Sequence, residues 1–181
     1  MSHYDLLFSS RSIWTMLHGI FFGGGSLLGV AAALFALIAL RAAPPGDAAA
    51  AQSRLIAWLL IGTTLLVWAA VIVGTYVTFP PYRATPPEGV IDLSAYPRSL
   101  IRSDPRSAWL HSFAMESKEH IPWIAAMLVT GVSFVATRYR ARLLTDDRLR
   151  RIAVSLLALA FVLIAGVSFL GVLINKVAPL E

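Results

Sequence analysis

Four histidines are the side chains of this sequence best suited to bind a metal ion or carry protons: His3, His18, His111 and His120. Imidazole is a common axial ligand of haem iron, and it titrates near neutral pH. The chain has no cysteine, which excludes a disulfide, a thiolate nucleophile, an iron–sulfur cluster and a covalently attached c-type haem. The histidines therefore direct attention to a non-covalent haem or to proton-coupled chemistry.

The elements that must position these histidines are membrane helices, as the composition indicates. Of the 181 residues, 57% are apolar and only 14% are charged, whereas a soluble domain is about 25% charged. Because so few charges cannot cover a water-facing surface, the composition excludes a soluble enzyme, a disordered tail and a nucleic-acid-binding module, despite the net charge of +5. We expect an integral membrane protein in contact with the lipid bilayer.

A helix needs about 20 mostly apolar residues to cross a bilayer, and four segments meet this requirement. They are predicted at about 13–40, 55–79, 117–138 and 152–174, within one domain over 1–181 that has inner loops 41–54 and 139–151 and an outer loop 80–104. The first segment is too long for a signal peptide, whose apolar core has roughly 7–15 residues. The prediction is an all-α protein, a bundle of four transmembrane helices.

The distribution of basic residues predicts the orientation of this bundle. Eight of the 15 basic residues occupy or flank the loops after the first and third segments: Arg41, Arg54, Arg138, Arg140, Arg142, Arg148, Arg150 and Arg151. Cytoplasmic loops carry an excess of Lys and Arg. Both termini and the second loop are therefore predicted to lie outside. The Arg- and Ala-rich composition favours a bacterial inner membrane, which makes that side the periplasm.

The outer loop is rich in proline, which fixes φ and removes a hydrogen-bond donor. Six of the ten prolines lie in it or next to it: Pro80, Pro81, Pro86, Pro87, Pro97 and Pro105. We expect an extended, irregular segment that ends where Ser103-Asp104-Pro105 starts the third helix. A helix from Pro105 to Arg140 has 36 residues, or on the order of 54 Å, so it is predicted to be long and to protrude on the outer side.

The histidines all fall on the predicted outer side. His18 lies 22 residues from Leu40 and His120 lies 18 from Arg138, which places them roughly 33 and 27 Å from the inner helix ends. A haem b between facing helices would use His18 and either His120 or His111. His111 and His120 are nine residues apart and lie on opposite helix faces, so they cannot both join His18 at one haem.

The neighbours of His18 suit a haem, but they also suit ordinary helix packing. Five small residues follow it closely: Gly19, Gly23, Gly24, Gly25 and Gly29. They leave room either for a flat macrocycle or for a closely packed helix. The haem carboxylates would need cations such as Arg102 and Arg106. The other cations on this side are Arg11, Arg83, Arg98 and Lys118.

A polar stretch of the third helix offers a second use for these residues, a quinol site at the outer face. Glu116 and His120 are four residues apart, so the carboxylate is expected to orient the ring. A Glu or His here could accept the protons released by a quinol. The alternative is that Glu116, Lys118 and Glu119 form a solvated helix face. The aromatic residues at this level are interpreted as interfacial anchors: Tyr76, Tyr82 and Trp109.

Four membrane helices with histidines on facing helices, and with no charge inside the apolar segments, resemble the small membrane b-type cytochromes that pass electrons between quinones and other carriers. The resemblance implies a haem b subunit, with quinone as a further cofactor and at most an electron-transfer role within an oxidoreductase. It implies other membrane subunits or a periplasmic cytochrome as partners, and no nucleic acid. Because no histidine lies near the inner side, the analogy extends to haem near the outer surface alone.

Two other classes of protein compete with this interpretation. The chain could be a non-catalytic accessory subunit of a larger respiratory complex, with the outer loop and third helix as docking surfaces. A transporter is disfavoured because the apolar segments lack the ionisable residues that mark transport pathways. A metal site built from Glu116, Glu119 and His120 would lack ligands from a second helix.

Overall fold

The computed structural model describes residues 9–41 and 46–179, and its regular structure is helical throughout. Four helices in these residues are long and apolar enough to cross a membrane, and we name them spans 1 to 4: Ser10–Leu40, Asp47–Arg83, Leu110–Arg138 and Asp147–Val177. Two short helices lie in the connections, Pro97–Ser103 and Arg140–Thr145. The structure thus confirms an all-helical chain with four potential membrane spans.

Each span is longer than the apolar segment that predicts it, and spans 1 and 4 begin at polar caps that precede the apolar residues. Span 1 begins after Ser9, whose hydroxyl accepts a hydrogen bond from the backbone N–H of Ser12 at 3.1 Å. Span 4 begins after Asp146, whose carboxylate accepts from the backbone N–H groups of Arg148 and Leu149. Such caps satisfy donors that have no partner within the helix.

Consecutive spans run antiparallel and pack side by side, and span 4 closes the bundle against span 1. Gly29 of span 1 lies directly against Thr63 of span 2, where a Cβ atom would collide with the threonine side chain. Spans 2 and 3 are joined by a hydrogen bond from Trp68 Nε1 to the Thr130 hydroxyl at 3.0 Å. Small residues and interhelical hydrogen bonds of this kind hold helices together in lipid.

The main core fills the middle of the bundle with aliphatic side chains. Val30, Leu37, Leu60, Val129 and Leu157 are completely buried there. The outer faces are also apolar, and their large side chains are exposed: Leu28, Phe35, Trp58, Leu65 and Val172 among them. An apolar exterior around a packed interior is the pattern expected of helices that are surrounded by lipid.

The two ends of the bundle differ in backbone geometry. We call the end at which span 1 begins, span 2 ends, span 3 begins and span 4 ends the histidine end, and the other the opposite end. Three π-helical segments interrupt the α-helices, and all three lie at the histidine end: Leu17–Gly24, Gly74–Thr78 and Leu110–Met115. Because π-helical turns often occur at functional sites, the histidine end is the candidate location of a functional site.

The proline-rich connection departs from the prediction of an extended loop. Span 2 continues through Pro80 and Pro81 to Arg83, because proline is compatible with the first positions of a helix. Pro97 begins the short helix Pro97–Ser103, which is anchored by the completely buried Ile101. Residues 104–108 then form a bend and turns, and span 3 begins at Leu110 rather than near Pro105. The signal at Asp104-Pro105 marks a turn, and not the start of the span.

Candidate functional site

His18 lies in the π-helical part of span 1 and turns its ring towards span 2. The ring packs against Gly74, where a Cβ atom would lie 2.7 Å from the imidazole Cε1. The carbonyl of Ala70, one turn before Gly74, lies beside the same ring. Nδ1 of His18 is buried and has no hydrogen-bond partner. A glycine at position 74 is therefore what admits the ring between the two helices.

Lys118 of span 3 brings a positive charge to the same region. Its Nζ atom donates a long hydrogen bond of 3.5 Å to the carbonyl of Val167 in span 4. At Gly171, one turn further along span 4, a Cβ atom would lie 2.9 Å from the lysine Nζ. Glycines on spans 2 and 4 thus make room for His18 and Lys118.

His18 offers an imidazole nitrogen without a hydrogen-bond partner, and Lys118 offers hydrogen-bond donors. No carboxylate lies within ion-pair distance of Lys118 among the described residues. An uncompensated cation inside a membrane bundle is unfavourable, and such residues commonly mark functional sites. We call these two side chains, which lie at the same end of the bundle, the His18–Lys118 pair; they offer an imidazole nitrogen and a hydrogen-bond donor.

His111 belongs to a separate cluster near the end of span 2. Its Nδ1 atom lies 3.0 Å from the hydroxyl of Tyr82, and the two rings are tilted with centroids 6.1 Å apart. Tyr82 is buried next to Ile101, Leu110 and Met115. Tyr82 therefore holds the His111 ring, which differs from its interpretation as an interfacial anchor. Tyr76 and Trp109 do face outwards, with 69% and 46% of their surface exposed.

His120 is exposed and hydrogen-bonded within its own helix. Its Nδ1 atom lies 2.8 Å from the backbone carbonyl of Glu116, and not against the carboxylate that the spacing suggested. His18, His111 and His120 consequently have different neighbours, and the structure does not bring any two of them onto a shared partner. His3 lies outside the described residues.

The two predicted cofactor cations occupy different environments. The side chain of Arg106 is 91% exposed and forms an ion pair with Asp104 at 2.8 Å. Arg102 lines a surface groove of about 400 Å³ together with Arg83 and Arg98. The described residues contain no group of three or more His, Asp or Glu side chains that could hold a metal ion, so Glu116, Glu119 and His120 do not form one.

The glycines after His18 divide into packing positions and open positions. Gly25 faces Leu66 and Gly29 faces Thr63, so both act in helix packing. Gly19 and Gly24 have open space beside them, and Gly24 borders an apolar groove between spans 1 and 2. Part of the series therefore serves close packing, and the remainder leaves the outer surface of span 1 flat.

Lys118 is the residue that sequence reasoning assigned least well, because a charged residue among polar neighbours was interpreted as part of a solvated face. A signal for its true position was present in the spacing. Ala114, Lys118, Ala125 and Val129 follow one another at intervals of four, seven and four residues, and the other three are completely buried. This periodicity puts Lys118 on the inward face of span 3.

Comparison with protein-family models, with curated proteins and with solved structures finds no match for this chain.

Proposed function

We propose that this protein is a membrane subunit that transfers electrons, and that His18 binds its cofactor, for which haem b is the candidate. The observation that carries the proposal is the position of His18, which turns its ring into the bundle and leaves the buried Nδ1 atom without a hydrogen-bond partner. An imidazole nitrogen without a hydrogen-bond partner is available to iron in the tautomer that leaves its lone pair free. In the proposed orientation, this end faces the periplasm from a bacterial inner membrane.

His18 would be the ligand that this chain supplies from inside the bundle, and no second histidine shares its neighbours. The ring of His120 is exposed and turned back onto its own helix, and the Nδ1 atom of His111 is held by Tyr82. Each of these rings keeps Nε2 for another partner. Haem b, when bound, would supply a one-electron carrier. Gly74 leaves the space that the His18 ring occupies, and Lys118 carries a positive charge at the same end of the bundle.

The test is the visible absorption spectrum of the purified protein, first oxidised and then reduced with dithionite. We expect a haem Soret band that shifts on reduction in the wild type, and its loss in His18→Ala. The matched control is His120→Ala, which removes an exposed histidine from the same end of the bundle and is expected to keep the band. Helical content measured by circular dichroism separates loss of the cofactor from loss of the fold.

A colourless wild type with full helical content would overturn the haem proposal. A band that survives in His18→Ala would remove His18 from the site. A band lost in His120→Ala as well would return the exposed histidine to the ligand set. With a colourless protein, the accessory-subunit interpretation becomes the proposal, and the polypeptides that copurify with the chain become the next object of study.

Quinone binding is the second candidate, and the position of Lys118 favours it. A quinone has two carbonyl oxygens that accept hydrogen bonds, and the ammonium group beside His18 has only the carbonyl of Val167, at 3.5 Å. Calorimetric titration with a short-chain ubiquinone analogue tests this candidate. We expect Lys118→Met to weaken binding by about tenfold, the value of one charge-assisted hydrogen bond. Equal affinity in both proteins would reject the quinone site.

A further inference from the structure

We propose that Arg83, Arg98 and Arg102 form a binding site for a phosphate group, and that its occupant is the headgroup of an anionic phospholipid. The three side chains line one surface groove of about 400 Å³, together with Thr85, Ser99 and Ser103. This groove is separate from the His18–Lys118 pair and does not depend on the proposed electron-transfer function. Guanidinium groups bind phosphate oxygens through paired hydrogen bonds, and a tetrahedral phosphate can accept from several of them at once.

The fold holds these arginines together although their charges repel. Arg98 and Arg102 lie one helical turn apart on the helix Pro97–Ser103. Ile101 of this helix is completely buried, and its carbonyl accepts a hydrogen bond of 2.8 Å from the Ser107 hydroxyl. Like charges four residues apart destabilise a helix. A fixed arrangement of like charges suggests that an anion compensates them.

The groove has no internal counterion among the described residues. The only ion pairs among all the described residues are Arg106 with Asp104 and Arg150 with Asp147, and neither involves an arginine of the groove. The Nε atom of Arg98 is buried and has no hydrogen-bond partner. Glu119 interacts electrostatically with Arg83 and Arg98 but forms no ion pair with either of them.

The height of the groove favours a lipid headgroup over a soluble phosphate. Arg83 is the last residue of span 2, and its guanidinium carbon lies 5.3 Å from the centre of the Phe79 ring. Tyr76 and Trp109, at the same end, expose their rings as interfacial aromatic residues do. Basic pockets at the ends of membrane helices bind anionic lipid headgroups.

The experiment uses the full chain, delipidated in a neutral detergent, and native mass spectrometry to count bound lipids during titration. The probes are phosphatidylglycerol, phosphatidylcholine and inorganic phosphate, the last assayed by thermal unfolding against chloride at equal ionic strength. We expect tighter binding of phosphatidylglycerol than of phosphatidylcholine, and a loss of at least about tenfold in the double variant Arg98→Gln/Arg102→Gln. The double variant Arg140→Gln/Arg148→Gln removes two exposed arginines from the opposite end and should retain wild-type affinity.

A second double variant, Arg98→Lys/Arg102→Lys, keeps the charge and loses the planar donor groups, so an intermediate affinity is expected even if the glutamine variant folds poorly. If inorganic phosphate stabilises the wild type and phosphatidylglycerol binds no better than phosphatidylcholine, the phosphate site stands with a soluble occupant and the lipid assignment is overturned. Equal binding of every probe by wild type and variants would overturn the site. Loss of haem absorbance without a change in lipid affinity would also overturn it, because the groove would then serve the haem carboxylates.

Discussion

The two ends of the bundle treat an inward-facing basic residue in different ways. At the opposite end, the Nη1 atom of Arg150 donates to the carbonyl of Leu143 at 2.6 Å, and its Nη2 atom pairs with Asp147. At the histidine end, Lys118 has one long hydrogen bond to a carbonyl and no ion pair among the described residues. A buried charge with close partners contributes to the structure of the protein, whereas a partly exposed cation with one long hydrogen bond keeps donors for a ligand. We therefore expect substitutions at the opposite end to lower stability and those at the histidine end to lower ligand binding.

The largest effect on stability is expected from Leu60→Ala, in the core nearer the opposite end. Leu60 is completely buried, and its truncation leaves a cavity that should lower the free energy of unfolding by about 3 kcal/mol. We expect no larger loss of unfolding free energy, because a leucine side chain that leaves the core of the bundle enters lipid, which is also apolar. Reversible unfolding in mixed micelles measures the loss. Lipid binding at the arginine groove should remain at the wild-type level, and a parallel loss there would break the separation of the two ends.

Replacement of Arg150 should have the next largest effect. Arg150→Met leaves the carbonyl of Leu143 without its donor and is expected to lower the free energy of unfolding by about 2 kcal/mol. Arg151→Met is the matched control, because the neighbouring arginine is exposed and should be neutral. Equal unfolding midpoints for the two variants would mean that Arg150 does not stabilise this end.

Gly74→Ala tests the close approach between spans 1 and 2 at the histidine end. The new methyl group would lie 2.7 Å from the His18 ring, so the ring must move, at an expected cost of about 1–2 kcal/mol. Gly62→Ala on the same helix meets open space and should be neutral or slightly stabilising. Cofactor binding should fall in the first variant alone, as measured by absorbance or by quinone titration. Loss in both would indicate a general effect on span 2.

Lys118→Met should separate stability from function most clearly. Removal of an ammonium group that has no carboxylate partner is expected to raise the free energy of unfolding by about 1 kcal/mol while ligand binding is weakened. Unfolding and ligand titration on the same preparation test both halves of this expectation. A destabilised protein with normal binding would show that Lys118 is structural, like Arg150.

The smallest effect is expected at the surface, from Asp104→Ala. Hydrogen bonds from Arg106 hold the pKa of the Asp104 carboxyl below its usual value, so the ionised form stabilises the fold slightly. This stabilisation is present above the unfolded-state pKa of about 3.9 and disappears as the pH falls through the lowered folded-state pKa. The unfolding midpoints of wild type and variant should therefore differ slightly at pH 7 and converge in acid. A difference that grew in acid would contradict this.

The sequence was sufficient to predict the helical class and the membrane spans, because long apolar runs are a strong and local signal. It did not reveal which side chains meet. Tyr82 and His111 are 29 residues apart and come together through the packing of spans 2 and 3, which no local pattern specifies. The helix Pro97–Ser103 was missed because proline was weighed as a breaker, although proline also starts helices.

The three π-helical segments make chain length adjustable at one end of the protein. A π-helical turn closes from residue i to i+5 and so contains one residue more than an α-helical turn. Deletion of one residue within Gly74–Thr78 would convert that turn to an α-helical one and leave the faces on either side aligned. A deletion within Asp47–Val73 would instead rotate the rest of span 2 by about 100° and turn its buried face towards lipid. Single-residue deletions should therefore be tolerated within the π-helical segments and should disrupt the fold elsewhere in the spans.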